Sequence, residues 1–179
     1  MELAEAIRDV AYLEGDFVLR SGRRSSYYLD KYRFGTRPEI LGPLGEAIAA
    51  AVAEHEPEAD RIAAPELGAV ALAAAASLAG GLPFVIVRKE AKEYGTANRL
   101  EGEFAEGECM CLVEDVVTSG GAAIEAVKAL REAGLRVSNA VCVVDREEGG
   151  VDELARHAVR LWPLFRASDL GKSAAKPHG

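Results

Sequence analysis

Apolar residues at helical spacing mark the first two predicted helices. Residues 2–13 carry apolar side chains every three or four positions, which predicts a helix. Residues 16–30 hold two short apolar runs around a polar Ser-Gly-Arg-Arg-Ser-Ser turn, which predicts two short strands. Pro38 suits the first turn of a helix, and the apolar pattern carries that helix to about Glu54.

Between residues 61 and 103 the pattern alternates between strand and helix. Residues 61–64 predict a short strand, residues 65–68 a turn, and the alanine-rich residues 69–79 a helix. Residues 83–87 predict another strand. Residues 88–103 are polar without a consistent period, so we expect a long loop, and such loops in compact domains are usually functional or mobile.

The central part of the chain has the pattern of a βαβ unit. Residues 109–113 predict a strand, 114–121 a loop, 122–132 a helix and 137–144 a second strand. Gly134 is well placed to end the helix. A βαβ unit implies a parallel sheet with helices packed on it, so the predicted fold class is α/β.

The last third adds one more helix and one more strand, near residues 151–157 and 158–164. We find no internal repeat and no linker, and therefore expect a single domain over residues 1–171. Residues 172–179 are polar and are expected to form a disordered tail.

Composition and charge narrow the class of ligand. The chain has 179 residues, of which 49% are hydrophobic, and 21 basic against 29 acidic residues give a net charge of -8. That average would repel nucleic acid, so no nucleic-acid partner is expected. The basic residues nevertheless cluster, which favours a small anionic ligand; the clusters are Arg20, Arg23, Arg24, Lys31 and Arg33, and Arg88, Lys89, Lys92 and Arg99.

The cysteines and the apolar runs bear on the compartment. Cys109, Cys111 and Cys142 are interpreted as buried small hydrophobes in a reduced cytoplasm rather than as metal ligands. Acidic residues interrupt the first helix-like stretch, which argues against a signal peptide. No apolar run is long and pure enough to span a bilayer, so we expect a cytoplasmic protein without a membrane partner.

The segment after residue 113 has the features of a phosphate-binding loop. Gly120 and Gly121 allow successive backbone N–H groups to converge on an anion, and the following helix directs its positive end to the same place. Thr118 and Ser119 add hydroxyl donors. The loop would lie at the carboxyl edge of a parallel sheet, where such folds bind ligands.

Two acidic residues in this loop specify the ligand further. Glu114 and Asp115 would repel a bare phosphate, but carboxylates accept hydrogen bonds from ribose hydroxyls and can help to hold Mg²⁺. The pattern therefore predicts a ribose 5-phosphate. The segment lacks the Gly-Lys-Ser/Thr of a Walker loop and the spacing of a Rossmann fingerprint. The alternative is an ordinary βα turn with a glycine and a cap.

Residues 113–122, Val-Glu-Asp-Val-Val-Thr-Ser-Gly-Gly-Ala, resemble the phosphoribosyl diphosphate signature of type I phosphoribosyltransferases, in the form closest to the orotate phosphoribosyltransferase family. Three further segments resemble that family in the same order. Residues 17–25 resemble its N-terminal Phe-x-Leu-x-Ser-Gly-x-x-Ser segment, residues 87–102 its mobile catalytic loop, and residues 145–149 its late Asp-Arg-x-x-Gly segment. The resemblance covers roughly residues 1–170.

The resemblance implies a type I phosphoribosyltransferase-like fold: a central parallel sheet flanked by helices, with a small N-terminal hood mainly from residues 1–35. It also implies a homodimer with shared active sites. Residues 65–68 match the loop that receives pyrophosphate. Lys92 and Asp115 are the implied catalytic residues.

The resemblance further implies roles for the binding residues. Arg88, Lys89 and Lys92 would hold the diphosphate and reach into the neighbouring subunit's site. Thr118 and Arg146 would contact orotate, and Arg20 stands where the family usually has a lysine near the diphosphate and base. The ribose 5-phosphate would be held by Glu114, Asp115, Val116, Val117, Thr118, Ser119, Gly120, Gly121 and Ala122.

The chain departs from the family pattern at two notable positions. Tyr94 stands where the family usually has a histidine that contacts the diphosphate; tyrosine can donate a hydrogen bond but stays neutral near pH 7. Ala69 stands where the pyrophosphate loop often has a second glycine. These departures bear on base specificity and turnover more than on the phosphoribosyl site.

The resulting hypothesis is an Mg²⁺-dependent enzyme of pyrimidine biosynthesis that converts orotate and phosphoribosyl diphosphate into orotidine 5′-monophosphate and pyrophosphate. Mg²⁺ would be held mainly by the substrate, with Asp115 the nearest protein candidate. Two alternatives stay open: a phosphoribosyltransferase for another base, and a non-catalytic regulator that senses a phosphoribosyl ligand. The basic loop could also be merely solvated, and Arg146 could form a surface ion pair with Asp145 or Glu147.

Overall fold

The N-terminal part of the chain forms a helix, a hairpin and a short second helix. The computed structural model describes residues 2–18, 22, 24–90 and 99–171. Helix α1 (Leu3–Ala11) leads directly into strand β1 (Tyr12–Val18), which pairs antiparallel with β2 (Arg24–Leu29). Helix α2 (Lys31–Gly35) follows, capped by Asp30, whose carboxylate accepts a hydrogen bond from Tyr32 N.

The rest of the chain alternates between helices and strands. In chain order these are α3 (Pro38–His55), β3 (Arg61–Pro65), α4 (Gly68–Gly80), β4 (Phe84–Val87), β5 (Leu100–Glu101), β6 (Cys109–Val117), α5 (Gly121–Glu132), β7 (Arg136–Asp145), α6 (Gly150–Arg156), β8 (Arg160–Arg166) and α7 (Ala167–Leu170).

A six-stranded sheet lies at the centre, in the order β5-β4-β3-β6-β7-β8. All neighbouring strands run parallel except β4 and β5. The predicted α/β class with a central parallel sheet is therefore confirmed. Within the described ranges, no helix has the length and apolar character needed to cross a membrane.

Helices cover both faces of the sheet. Alternate residues of β6 belong to two separate clusters of buried side chains, because successive side chains of a strand point to opposite faces. Cys111 and Val113 pack with α1, α2, α3 and α4, whereas Met110 and Leu112 pack with α5 and Leu154 of α6. The three cysteines are free thiols and all are buried, as predicted.

Two predictions about the elements are wrong, and two short helices were missed. The strand predicted over residues 109–113 continues to Val117, because residues 114–117 stay paired with β7. Residues 88–103 were expected to lack strands, but Leu100 pairs with Val87 to form an edge strand too short for any visible alternation. The short helices α2 and α7 were not predicted, since five and four residues are too few to show a helical period. The predicted tail, 172–179, lies outside the described residues.

Candidate active site

The candidate site lies at the carboxyl edge of the sheet. The parallel strands β3, β4, β6 and β7 end there, and ligands of open α/β sheets bind at that edge. The residues that directly follow these four strands are Glu66, Arg88, Thr118 and Arg146. The sheet thus brings to one edge four segments that are distant in the sequence and for which separate binding roles were predicted.

The two acidic residues lie within β6 rather than in the predicted loop, and both are buried. Glu114 is 6% exposed and Asp115 is 3% exposed. The Oε1 atom of Glu114 has no hydrogen-bond partner among the residues that the structure describes. Burial, and secondarily the charge of Asp115, raise the pKa of Glu114 to about 8, although Lys31 and the Asp115 backbone N–H act in the opposite direction. An unpartnered buried oxygen of this kind is suited to a ligand hydroxyl or a cation.

Asp115 is held on both sides of its carboxylate. Its Oδ1 accepts a hydrogen bond of 2.6 Å from Val116 N. Lys31 Nζ lies 2.8 Å from Oδ2, close enough for an ion pair, although the angle does not meet the geometry of a hydrogen bond. Burial alone would lower the pKa of Lys31, but its contact with Asp115 and the negative charge there raise that pKa overall. Lys31 therefore carries its positive charge at neutral pH.

Gly68, the first residue of α4, makes room for this carboxylate. A Cβ atom at this position would overlap Asp115 Oδ2 and would lie 2.9 Å from Asp115 Cγ. It would also lie 3.4 Å from Lys31 Cε. The absence of a side chain at residue 68 is therefore what allows Asp115 and Lys31 to meet over the start of the helix.

The segment after β6 forms a small cavity at the start of α5. Gly120 caps this helix with φ of 85°, a left-handed conformation that favours glycine. The cavity measures about 100 Å³ and is lined by Glu114, Val116, Val117, Thr118, Ser119, Gly120, Gly121, Ala122 and Ala123. Backbone N–H groups at a helix start form a favourable environment for an anion such as phosphate.

A second cavity, of about 320 Å³, shares one lining residue with the first. Ala122 lines both; the remaining lining residues of the second are Pro65, Glu66, Val87, Arg88, Lys89, Arg99, Glu125 and Ala126. Glu66 contacts both basic residues that follow β4. Its Oε1 accepts a hydrogen bond of 2.7 Å from Lys89 N, and its Oε2 lies 4.0 Å from Arg88 Nε. Arg88 also lies 3.6 Å from Glu101. The predicted diphosphate residues Arg88 and Lys89 thus lie beside the loop that was matched to pyrophosphate binding.

Arg146 is buried instead of forming the surface ion pair considered above. It is 8% exposed, and its guanidinium Cζ lies 4.7 Å from the centre of the Tyr27 ring, within the range of a cation–π contact. Its charged partner is Glu148, at 3.0 Å. The Arg146 Nε atom has no hydrogen-bond partner among the described residues. Tyr27 itself stacks on Tyr12, so the N-terminal hairpin reaches the end of β7.

The structure adds residues that sequence reasoning had not assigned to the site. Lys31 appeared only as a member of a basic cluster, and Tyr27 only as part of a predicted strand. No local pattern could have identified either, because their partners lie far along the chain. Three predicted site residues, Arg20, Lys92 and Tyr94, lie outside the described residues.

Among the described residues, the site contains no metal site built from protein side chains alone. Within the part of the chain that the structure describes, no group of three or more metal-ligating side chains occurs. The two carboxylates are nevertheless hard oxygen donors of the type that Mg²⁺ prefers, and Mg²⁺ is commonly held by one or two carboxylates plus substrate phosphates. Glu114 Oε1 and Asp115 are therefore compatible with a cation that the ligand also holds.

Known proteins resemble this chain over nearly its whole length. No family model matches the chain. The orotate phosphoribosyltransferase of Halobacterium salinarum is 49% identical over 170 residues, covering 94% of this chain and 95% of that protein. The orotate phosphoribosyltransferase structure from Aeropyrum pernix superposes with a TM-score of 0.82 at 32% identity, covering 94% and 96% of the two chains. That of Mycobacterium tuberculosis in complex with 5-phospho-α-D-ribosyl 1-diphosphate gives 0.80 at 28% identity, covering 95% and 97%.

Proposed function

Because this chain belongs to the orotate phosphoribosyltransferase family, we propose that it transfers the phosphoribosyl group from phosphoribosyl diphosphate to orotate. The products are orotidine 5′-monophosphate and pyrophosphate, a step of pyrimidine biosynthesis. The observation that carries the proposal is the presence of two cavities at the same sheet edge that share the lining residue Ala122. One is suited to a ribose 5-phosphate, and the other, with Arg88 and Lys89, to a diphosphate.

The smaller cavity holds the ribose 5-phosphate. Backbone N–H groups and hydroxyls between Thr118 and Ala122 bind the phosphate at the start of α5. Glu114 and Asp115 accept hydrogen bonds from the ribose hydroxyls. Their burial supports this role, because a ligand hydroxyl would supply the partner that Glu114 Oε1 lacks within the described residues.

The larger cavity stabilises the leaving group. As the bond between the anomeric carbon and the diphosphate breaks, negative charge grows on the departing oxygens. Cationic side chains stabilise this charge in the transition state and so lower the activation barrier. Arg88 and Lys89 line this cavity. The family resemblance assigns to Lys92 a catalytic role in stabilising the leaving group. Tyr94 would donate a hydrogen bond to the diphosphate.

Mg²⁺ is the proposed cofactor. When bound, it would neutralise charge on the diphosphate. Glu114 and Asp115 would hold it together with oxygens of the substrate, and the unpartnered Glu114 Oε1 supports that fit.

Orotate is proposed to bind between Thr118 and Arg146, with Arg20 near the base and diphosphate. A guanidinium can bind the orotate carboxylate through two N–H groups. The orientation of Arg146 supports this role, since Tyr27 and Glu148 hold it at the sheet edge while its Nε lacks a partner among the described residues. The segment of residues 1–35 would then act as a hood over the base within a single domain of residues 1–171.

The assembly and compartment are proposed on more general grounds. The family resemblance implies a homodimer with shared sites, and Leu67 and Leu78, which are 70% and 89% exposed, offer apolar surface for a subunit contact. Three free cysteine thiols support a reducing compartment, the cytoplasm.

A spectrophotometric assay of orotate consumption tests the proposed function. With phosphoribosyl diphosphate and Mg²⁺, we expect orotate to be consumed and orotidine 5′-monophosphate to form. Purines, uracil and nicotinate, tested in parallel, should react far more slowly: purines and uracil lack the carboxylate that Arg146 would bind, and nicotinate lacks the pyrimidine ring that Thr118 would contact. Folded protein that leaves orotate unchanged while consuming another base would contradict the assignment of the base.

A further inference from the structure

Lys31 connects the N-terminal part of the chain to the acidic pair of the central strand. It is the first residue of α2, directly after the hairpin. Its ammonium lies 2.8 Å from Asp115 Oδ2, and the side chain of Asp115 is 4% exposed while that of Lys31 is 38% exposed. The lysine is therefore the more exposed partner of the pair.

The orientation of the Asp115 carboxylate depends on two contacts. Val116 N binds one oxygen, and the Lys31 ammonium pairs with the other. Gly68 provides the space in which this pair forms, since a Cβ there would overlap the carboxylate. Without Lys31, the carboxylate would be buried beside a second acidic residue with no cation within ion-pair distance among the described residues.

We infer that Lys31 is a positioning residue for the proposed reaction: it holds the Asp115 carboxylate in the orientation that accepts hydrogen bonds from the ribose hydroxyls. It acts through Asp115 and does not bind the diphosphate. Arg88 and Lys89, which line the larger cavity, serve that part of the ligand. The inference deepens the proposed function and rests on it.

A purely structural role makes different predictions. If Lys31 only fastens the N-terminal segment to the sheet, its loss should weaken all ligands together and arginine should not restore binding. If Lys31 contacts the diphosphate itself, its loss should weaken pyrophosphate binding. If it positions Asp115, only ligands with ribose hydroxyls should be affected.

The experiment compares Lys31→Met, Lys31→Arg and Lys128→Met by calorimetric titration. Lys128 is a matched control, because it also forms a 2.9 Å ion pair, with Glu125, but on the exposed surface of α5. The probes are phosphoribosyl diphosphate, ribose 5-phosphate and pyrophosphate, each with Mg²⁺. Ribose 5-phosphate carries the hydroxyls without a diphosphate or a base.

We expect Lys31→Met to weaken phosphoribosyl diphosphate and ribose 5-phosphate by about 10- to 100-fold, the range for a hydrogen bond involving a charged group. Pyrophosphate binding should change less than about twofold. Lys31→Arg should restore most of the lost affinity, because the guanidinium can pair with the same carboxylate. Lys128→Met should bind all three ligands like the wild type.

A double-mutant cycle with Asp115→Asn tests whether Lys31 acts through Asp115. In the Asp115→Asn background, adding Lys31→Met should cause no further loss of ribose 5-phosphate binding. Independent, additive losses would overturn the inference, and so would a parallel loss of pyrophosphate binding in Lys31→Met.

Failure of the proposed function can be told apart from failure of this inference. None of the three probes contains a base. Wild-type protein that binds phosphoribosyl diphosphate but does not consume orotate would contradict the proposed base and leave the Lys31 comparison intact. Normal orotate turnover with unchanged ribose 5-phosphate binding in Lys31→Met would overturn the inference alone.

Discussion

The buried carboxyl of Glu114 affects both the stability of the protein and its binding of ligand. Its carboxyl is buried, and its pKa is raised to about 8 by burial and by the neighbouring Asp115. In the unfolded chain the same group has its ordinary pKa of 4.5. Between these two values the native state holds a proton that the unfolded state releases, so the free energy of unfolding falls as the pH rises.

Glu114→Gln should therefore stabilise the ligand-free protein at high pH. The amide cannot ionise, so the variant should match the wild type near pH 4 and exceed its free energy of unfolding by on the order of 5 kcal/mol at pH 9. Urea denaturation across this pH range measures the difference. The variant should also bind phosphoribosyl diphosphate more weakly, because the amide cannot ionise when the ligand binds and is a poorer acceptor for the ribose hydroxyls than a carboxylate.

Glu125→Gln is the matched control for this prediction. Glu125 is exposed on α5, and its contact with Lys128 lowers its pKa. Its replacement should give no gain in stability at high pH. A wild-type stability that does not fall between pH 5 and pH 8 relative to Glu114→Gln would show that Glu114 is ionised in the native protein.

At the scale of elements, the site depends on how closely α2, α4 and β6 approach one another. Gly68 begins α4, Lys31 begins α2, and Asp115 lies near the end of β6. The three meet within van der Waals distance because the helix starts without a side chain. The acidic pair is thus held by secondary structure elements, which position side chains more accurately than a free loop would.

Gly68→Ala should impair ribose binding by displacing Asp115. The added Cβ cannot be accommodated while Asp115 stays in contact with Lys31. We expect the KM for phosphoribosyl diphosphate to rise by about tenfold or more and the unfolding free energy to fall by about 1–3 kcal/mol. Steady-state kinetics and thermal denaturation measure the two effects.

Gly42→Ala provides the comparison for this substitution. Gly42 lies inside α3, and a Cβ there would meet nothing within 4 Å apart from its chain neighbours. Helix propensity favours alanine, but the following Pro43 disfavours helical backbone for a residue with a Cβ, so we expect no gain in stability and an unchanged KM. Equal KM values for the two variants would contradict the close packing of Asp115 against α4.

At the scale of the whole molecule, the sheet collects site residues from distant parts of the chain. The N-terminal hairpin contributes Tyr27, which lies against Arg146. The ends of β3, β4 and β6 contribute the segments proposed to bind pyrophosphate, the diphosphate and the ribose phosphate. In the proposed dimer the second subunit also contributes a residue, since Lys92 of one subunit would complete the site of the other.

Mixing two defective variants tests the shared site. Lys92→Ala and Asp115→Asn should each be strongly impaired. If the subunits exchange and Lys92 serves the neighbouring site, half of the mixed dimers are heterodimers with one intact site each. The mixture should then recover up to about a quarter of wild-type turnover.

The control mixture combines Asp115→Asn with Glu114→Gln. Both changes affect a subunit's own site, so exchange cannot produce an intact one, and activity should stay low. Recovery in neither mixture, despite verified subunit exchange, would mean that each subunit uses its own Lys92.

Much of the fold was predictable because its signals are local. Helical spacing in residues 2–13 and alternation of helices and strands after Pro38 predicted α1, α3, α4, α5 and most of the sheet. The wrong predictions of secondary structure also have physical reasons. Residues 114–117 look like a loop from their charges, but pairing with β7 keeps them in the strand. Leu100–Glu101 form a strand only because Val87 lies opposite.

By itself, the sequence predicted a phosphate-binding loop, an acidic pair and a set of basic residues after β4, since each is a run of neighbouring residues whose chemistry follows from the residue types alone. Only the tertiary structure decided that Asp115 pairs with Lys31, that Arg146 packs against Tyr27, and that Ala122 lines both cavities. These contacts join residues far apart in the chain. They arise because parallel strands carry their carboxyl ends to one edge, and no local spacing encodes which side chains meet there.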